Sequence, residues 1–324
     1  MIVKFMGLVV CLTLFWSAAA VAQQYPTKVI TIIVPFAAGG PTDTVGRLIA
    51  VPMANTLKTQ IIIENVGGAG GTIAANRVAK AQPDGYTILI HHIGHSTSPS
   101  LYRKLPYDAV KDFEPIGLAA DIPMSMVGKH DLPPKDLKEL IAYVKANKDT
   151  VTYANAGIGA ASHLCGMLFM TAIQTDLTTV PYKGTAPAMN DLLGGQVDLM
   201  CDQTVNTTSQ IKAGKIKVYG VTTKKRVASL PNVPTMQEAG LPGFEVAVWN
   251  GLYAPRATPK PVIDKLSSAL RQAVKDATVK RRLADLGAEV VSDDQAQPEA
   301  LRAQLKAEID KWAPIIKKAG VYAD

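Results

Sequence analysis

One unit recurs along this chain and limits what it can fold into: a short β-branched run, a loop holding Gly or Pro, then a helix start. Residues 29–34, rich in Ile and Val, read as a strand buried on both faces, ended by Pro35. A glycine-containing loop follows, and 43–57 has helical patterning. A second strand spans 61–64, and the glycines of 67–71 open onto a helix over 72–81. Pro83-Asp84-Gly85 is a turn before a third strand at 86–91. Strand, loop and helix in this alternation predict an α/β domain with a mainly parallel sheet.

The second half repeats the pattern. A long extended segment carrying Pro123 spans 116–127. Helices are predicted at 137–145, 162–171, 185–194 and 205–214, alternating with strands at 150–154, 178–182, 197–202 and 218–222. A further extended run covers 246–254, and helices follow at 261–277, 278–286 and 297–318. The last is amphipathic, with Leu301, Leu305, Ile309, Trp312 and Ile316 at helical spacing, and should dock on the first domain. No short repeat or low-complexity linker separates the halves. Extended crossings at 121–124 and 246–249 divide the chain more naturally. One lobe then holds 23–122 and 248–324, the other 123–247. Two strands passing between lobes form a hinge, with the ligand site in the cleft.

Residues 1–22 read as an export signal: Lys4, an apolar run over 5–16, then Ala20-Val21-Ala22 as the cleavage motif before Gln23. The run is too short for a membrane anchor, and Cys11 lies inside it, away from any lipidation junction. About 300 residues remain, enough for hydrophobic cores without staples. In an exported chain Cys165 and Cys201 either pair or stay buried as free thiols. A net charge of +7, with no basic run, suits anions and excludes nucleic-acid recognition.

The sharpest local feature is the loop Pro35-Phe36-Ala37-Ala38-Gly39-Gly40-Pro41-Thr42-Asp43 between a strand and a helix. Gly39 and Gly40 let backbone N–H groups approach a ligand, and the helix start offers unpaired donors and partial positive charge. Alternatively, Thr42 or Asp43 caps the helix. Gly157, Gly159, Ala160, Ser162 and His163 mark a similar junction in the other lobe, and Tyr182-Lys183-Gly184 a third. Opposed helix starts across a cleft would grip a small acid. Residues 67–71 lack the dinucleotide spacing, and no Gly-Lys-Ser/Thr follows Gly39-Gly40, so no nucleotide cofactor is expected.

His91, His92 and His95 follow the third strand, where Gly94 argues against a helix and no metal motif is present. His92 and His95 are expected to line the cleft rim with Ser96 and Thr97. Asp202 ends a strand aimed at the cleft and lacks a partner for general-base work. Ser162 sits in no nucleophile elbow, and His163 and Cys165 do not face each other on a helix. These residues describe a binding protein rather than an enzyme; a secreted hydrolase is the rival.

Several segments together resemble the periplasmic receptors of tripartite tricarboxylate transporters, the Bug proteins. They are Tyr25-Pro26; Val34-Pro35-Phe36-Ala37-Ala38-Gly39-Gly40-Pro41-Thr42-Asp43; Pro83-Asp84-Gly85-Tyr86-Thr87; Leu105-Pro106-Tyr107-Asp108; Val180-Pro181-Tyr182-Lys183-Gly184; Leu193-Gly194-Gly195-Gln196-Val197-Asp198; and Pro231-Asn232-Val233-Pro234-Thr235 with Glu238-Ala239-Gly240. The resemblance spans the mature chain. It implies a type II periplasmic-binding-protein fold that closes on its ligand, a small organic anion bound without cofactor or metal, and delivery to a two-component membrane permease. It implies carboxylate binding by the loops at 36–43 and 156–163, with Ser96, Thr97 and Asp202 as further pocket positions. A membrane sensor kinase is a second partner it allows, and the receptor is expected to be a monomer. The chain departs from the family at Cys201, where an aromatic residue commonly precedes the aspartate, and in its histidine-rich loop at 92–99. A dicarboxylate is the expected ligand, with an aromatic carboxylate as the alternative.

Overall fold

The computed structural model describes residues 25–323, so the export signal expected over residues 1–22 lies outside the described residues. The first lobe opens with β1 (Ile30–Val34), α1 (Pro41–Leu57), β2 (Ile61–Asn65), α2 (Thr72–Ala79) and β3 (Thr87–His92). β1 pairs in parallel with both β2 and β3. β1 and β3 are almost wholly buried, whereas the edge strand β2 is partly exposed, and antiparallel pairings elsewhere make the whole sheet mixed rather than mainly parallel.

Residues 93–101 depart from expectation. Gly94 does not prevent a helix: α3 (Gly94–Leu101) starts directly after β3, with Pro99 inside it. A Cβ at Gly94 would stand 2.9 Å from Gly159 O, so the residue is needed there for close approach to the other lobe.

β4 (Phe113–Lys129) joins the lobes. Its residues 113–123 pair antiparallel with β9 (Ala247–Pro255). Its residues 124–129 lie between β7 (Leu199–Gln203) and β8 (Ile216–Val221), antiparallel to both. β5 (Thr152–Asn155) adds in parallel to β7, and β6 (Thr178–Pro181) to β5. The second lobe's helices are α4 (Leu137–Ala146), α5 (Ala161–Ile173), α6 (Thr185–Leu193) and α7 (Thr204–Lys212). Thr222 ties the crossings together: its N–H donates to Met124 O at 2.9 Å, and its hydroxyl donates to Val246 O at 2.5 Å.

α8 (Lys260–Ala273), α9 (Ala277–Asp285) and α10 (Pro298–Ala319) return to the first lobe, with the two-residue strand β10 (Glu289–Val290) against β4. α10 buries Leu301, Leu305, Trp312 and Ile316, and packs on α3 and β4 as its periodicity predicted. Among the described residues no helix is long and apolar enough to cross a membrane.

Cys165 on α5 and Cys201 on β7 are disulfide-bonded, with Cα atoms 6.1 Å apart. The bond settles the choice left open by the sequence and removes Cys165 as a nucleophile.

Candidate functional site

The ends of the sheet strands bring several helix starts to one small cavity between the lobes. Pro41 and Thr42 come from the first turn of α1, Ala161 and Ser162 from α5, and Thr185 from α6, while Gln203 precedes α7. None of these four helices has a side-chain cap. Asp136 caps α4 and Asp276 caps α9 through their own carboxylates, while α2, α3, α8 and α10 are also without side-chain caps, so it is the convergence of the four starts that marks the site. First-turn N–H groups have no acceptor within their helix, so uncapped starts keep donors and partial positive charge for an anion.

Asp43 is not a cap either. Its carboxylate accepts from Gly39 N at 2.9 Å, from Arg47 Nε at 2.9 Å and from Asn65 Nδ2 at 2.9 Å. Asn65 also donates to Phe36 O at 3.0 Å. Burial opposes charge on Asp43, but these donors outweigh it and hold the carboxyl below its usual range. Asp43 therefore fixes the shape of the loop at 36–40. Gly39, at φ +81°, sits in the left-handed region that favours glycine. Gly40 has φ −80°, and an added Cβ would lie 3.4 Å from Ala37 O, so close approach does not require glycine there.

Phe36, His92, Ala156 and Ala160 form one wall. The rings of Phe36 and His92 stack at 4.7 Å. His92 Nδ1 accepts from Gly94 N at 2.9 Å, which leaves the proton of the neutral ring on Nε2 as a donor. Burial pushes the His92 imidazole down to about 3, so it stays uncharged at neutral pH.

Asp202 and Gln203 close the floor. Asp202 accepts from Asn206 Nδ2 at 2.5 Å and from Gln203 N at 2.8 Å. Burial pushes its carboxyl up to about 6, against the lowering effect of Asn206, Gln203 and Thr185. The Gln203 side-chain oxygen is buried without a partner. Among the described residues no lysine or arginine lines the cavity. Its atom-free space, counted to the mouth, is ≈ 270 Å³.

Of the residues singled out in the sequence, Phe36, Thr42, His92, Ala160, Ser162 and Asp202 line this cavity. Ala38, Gly39, Gly40, Asp43 and Gly184 belong to flanking loops or helix starts that do not line it. His95 points elsewhere, its Nε2 bonding Ala109 O at 3.0 Å. Ser96 donates to Ile93 O at 2.7 Å, and Thr97 shares its hydroxyl between Gly94 O and Gly159 O, both at 3.3 Å. Gly159 N donates to His163 Nδ1 at 3.3 Å, which occupies both residues behind the wall. Gly157, Tyr182 and Lys183 line a different groove. Pro41, Ala156, Ala161 and Thr185 also line the cavity and lie within the junctions the sequence pointed to, whereas Gln203 was not singled out. Gln203 ends a strand just before a helix, and that position was its available signal.

The lobes meet along backbone. Ala37 N donates to Lys183 O at 2.9 Å, and Tyr102 OH reaches Ile158 O at 2.9 Å. Glycines permit the approach: a Cβ at Gly70 would lie 1.9 Å from Ile158 O, and one at Gly67 2.6 Å from Lys183 O.

Comparison with known proteins places this geometry. Residues 45–321 match the sequence model of the tripartite tricarboxylate transporter family receptor. The chain is 49% identical to a UPF0065 protein of the TAR-I ttuE–ttuC′ intergenic region of Agrobacterium vitis, over 98% of this chain and 92% of that protein. Its fold matches the periplasmic binding protein BugD with TM-score 0.91 and 55% identity, covering 93% of this chain and all (100%) of the other. It also matches MatC of Rhodopseudomonas palustris, solved with bound malate, at TM-score 0.88 and 44% identity, over 90% of this chain and 100% of that one.

Proposed function

Because the chain belongs to the tripartite tricarboxylate transporter receptor family, we propose that it captures a short aliphatic dicarboxylate at the converging helix starts and delivers it to the membrane permease. It is a periplasmic carboxylate receptor of a transport system and not an enzyme. The observation that carries the dicarboxylate reading is the set of four uncapped helix starts around one cavity whose lining holds no cationic side chain. Backbone dipoles from opposite lobes suit a carboxylate at each end of a short chain. Phe36 and Ala160 suit the methylenes between.

Size does not choose among small acids: as closed here the cavity has ≈ 10 Å³ of water-sized space, about one water, so the lobes must part to admit any of them. MatC, solved with malate, is a relative with a four-carbon diacid. The working site is Phe36, Thr42, His92, Ala160, Ser162, Thr185, Asp202 and Gln203. The lobes divide at 122/123 and 247/248, and export cleaves after Ala22. The neutral His92 ring donates from Nε2, and Asp202 accepts from a ligand hydroxyl when ionised.

Calorimetry of the mature protein with malate, succinate, adipate, citrate and nicotinate tests this. The four-carbon diacids should bind one per chain, tighter than adipate or citrate. Binding of nicotinate with no response to any diacid would overturn it.

A further inference from the structure

A second concavity, of ≈ 1810 Å³ counted to its mouth, runs along the seam between the lobes. Ile73, Tyr102 and Lys104 of the first lobe and Ile158, Tyr182 and Lys183 of the second line it. Ile73 is 51% exposed, an apolar surface without cover. Lys104 and Lys183 are exposed, and no carboxylate lines the groove among the described residues. Arg103 also lines it but lies over the Tyr322 ring at 4.6 Å, so the two lysines carry the argument.

The groove is assembled by contact between the lobes. Its walls are tied by Tyr102 OH to Ile158 O at 2.9 Å, and by Ala37 N to Lys183 O at 2.9 Å. Parting the lobes would separate Lys104 from Lys183 and split the apolar floor. A surface that exists only in the closed receptor reports that the cavity is filled.

We infer that this groove is the docking site by which the loaded receptor is read, and that its occupant is an extended acidic segment of the membrane partner. The two lysines supply positive charge for an acidic segment, and Ile73 and Ile158 supply an apolar floor for its side chains. A flat lipid surface would reach the lysines and leave a recessed floor uncovered. The inference deepens the receptor reading and rests on it insofar as ligand drives closure.

The test uses a fluorescein-labelled hexaglutamate peptide, followed by anisotropy at low salt. Wild-type protein with saturating malate should bind it at least tenfold tighter than without malate. The double variant K104E/K183E should lose that binding, while Lys104→Glu alone leaves malate affinity in calorimetry unchanged. Equal peptide affinity with and without malate, or no effect of charge reversal, would overturn the inference. So would malate-dependent capture by phosphatidylglycerol vesicles in place of the peptide.

A cross-lobe lock separates this result from a failure of the dicarboxylate reading. A Cβ at Gly39 would lie 3.9 Å from Ala186 Cβ, within the roughly 3.5–4.5 Å of a disulfide, a bond that must also hold a side chain at the strained φ of +81°. If no diacid binds, oxidised G39C/A186C still presents the groove. Peptide binding to its oxidised form and not its reduced form supports the inference; binding to neither overturns it.

Discussion

Burial pushes the Asp202 carboxyl up to about 6, so its proton is in play near neutral pH. With the folded value raised above the unfolded one, protonation favours the folded state. That contribution is full below about pH 4 and is lost as pH rises through about 6. The same proton removes a negative charge facing an incoming diacid. Affinity for succinate, which has no hydroxyl for the ionised carboxylate to accept from, is therefore expected to rise up to about tenfold from pH 7.5 to pH 6. Asp202→Asn should flatten the slope, read by calorimetry across that range; an unchanged slope would place the titrating group elsewhere. Gly70 offers a second residue-scale prediction. It has φ +60°, and a Cβ there would stand 1.9 Å from Ile158 O. Gly70→Ala should hold the lobes apart and weaken ligand binding at least tenfold, with solution scattering showing the open form in saturating ligand.

At the scale of elements, the disulfide joins α5, whose first turn lines the cavity, to β7, which ends in Asp202 and Gln203. It closes a loop with sequence separation 36, and chain-entropy reasoning assigns such a loop about 3–4 kcal/mol. The C165S/C201S double variant should lose that much in urea unfolding and bind ligand more weakly, since the two elements are no longer fixed relative to each other. The alternation of strand, loop and helix was legible because buried parallel strands and amphipathic helices have distinct periods. α3 was not, because Gly94 and Pro99 weigh against a helix in local propensity while packing against Gly159 of the other lobe favours one. The disulfide was not, because 36 residues of separation say nothing about distance. The third glycine junction was found, but which way its side chains face was not. Lys183 lies along the seam while Thr185, two residues on, lines the cavity, and only the approach of Ala37 to Lys183 O decides that.

Across the whole molecule, both crossings are bound to one residue, so the lobes should swing as units. Thr222 bonds Met124 on one crossing and Val246 on the other. Thr222→Val removes the hydroxyl bridge and should widen the distribution of lobe angles in the empty protein, measured by spin-label distances. Ligand at 100 times its dissociation constant should add about 2.7 kcal/mol of apparent stability. A thermal-shift series that saturates with no gain for any carboxylate would contradict the receptor mechanism.

The seam between the lobes has a consequence for how such receptors diversify. Its fastenings end on main-chain oxygens, and their side-chain donors, Tyr102 and Thr97, lie outside the cavity, so they do not depend on which side chains face the cargo. Substitutions at Phe36, His92 or Gln203 can therefore retune what is carried while the latch keeps its shape. Descendants of one scaffold can change their nutrient without relearning how to shut.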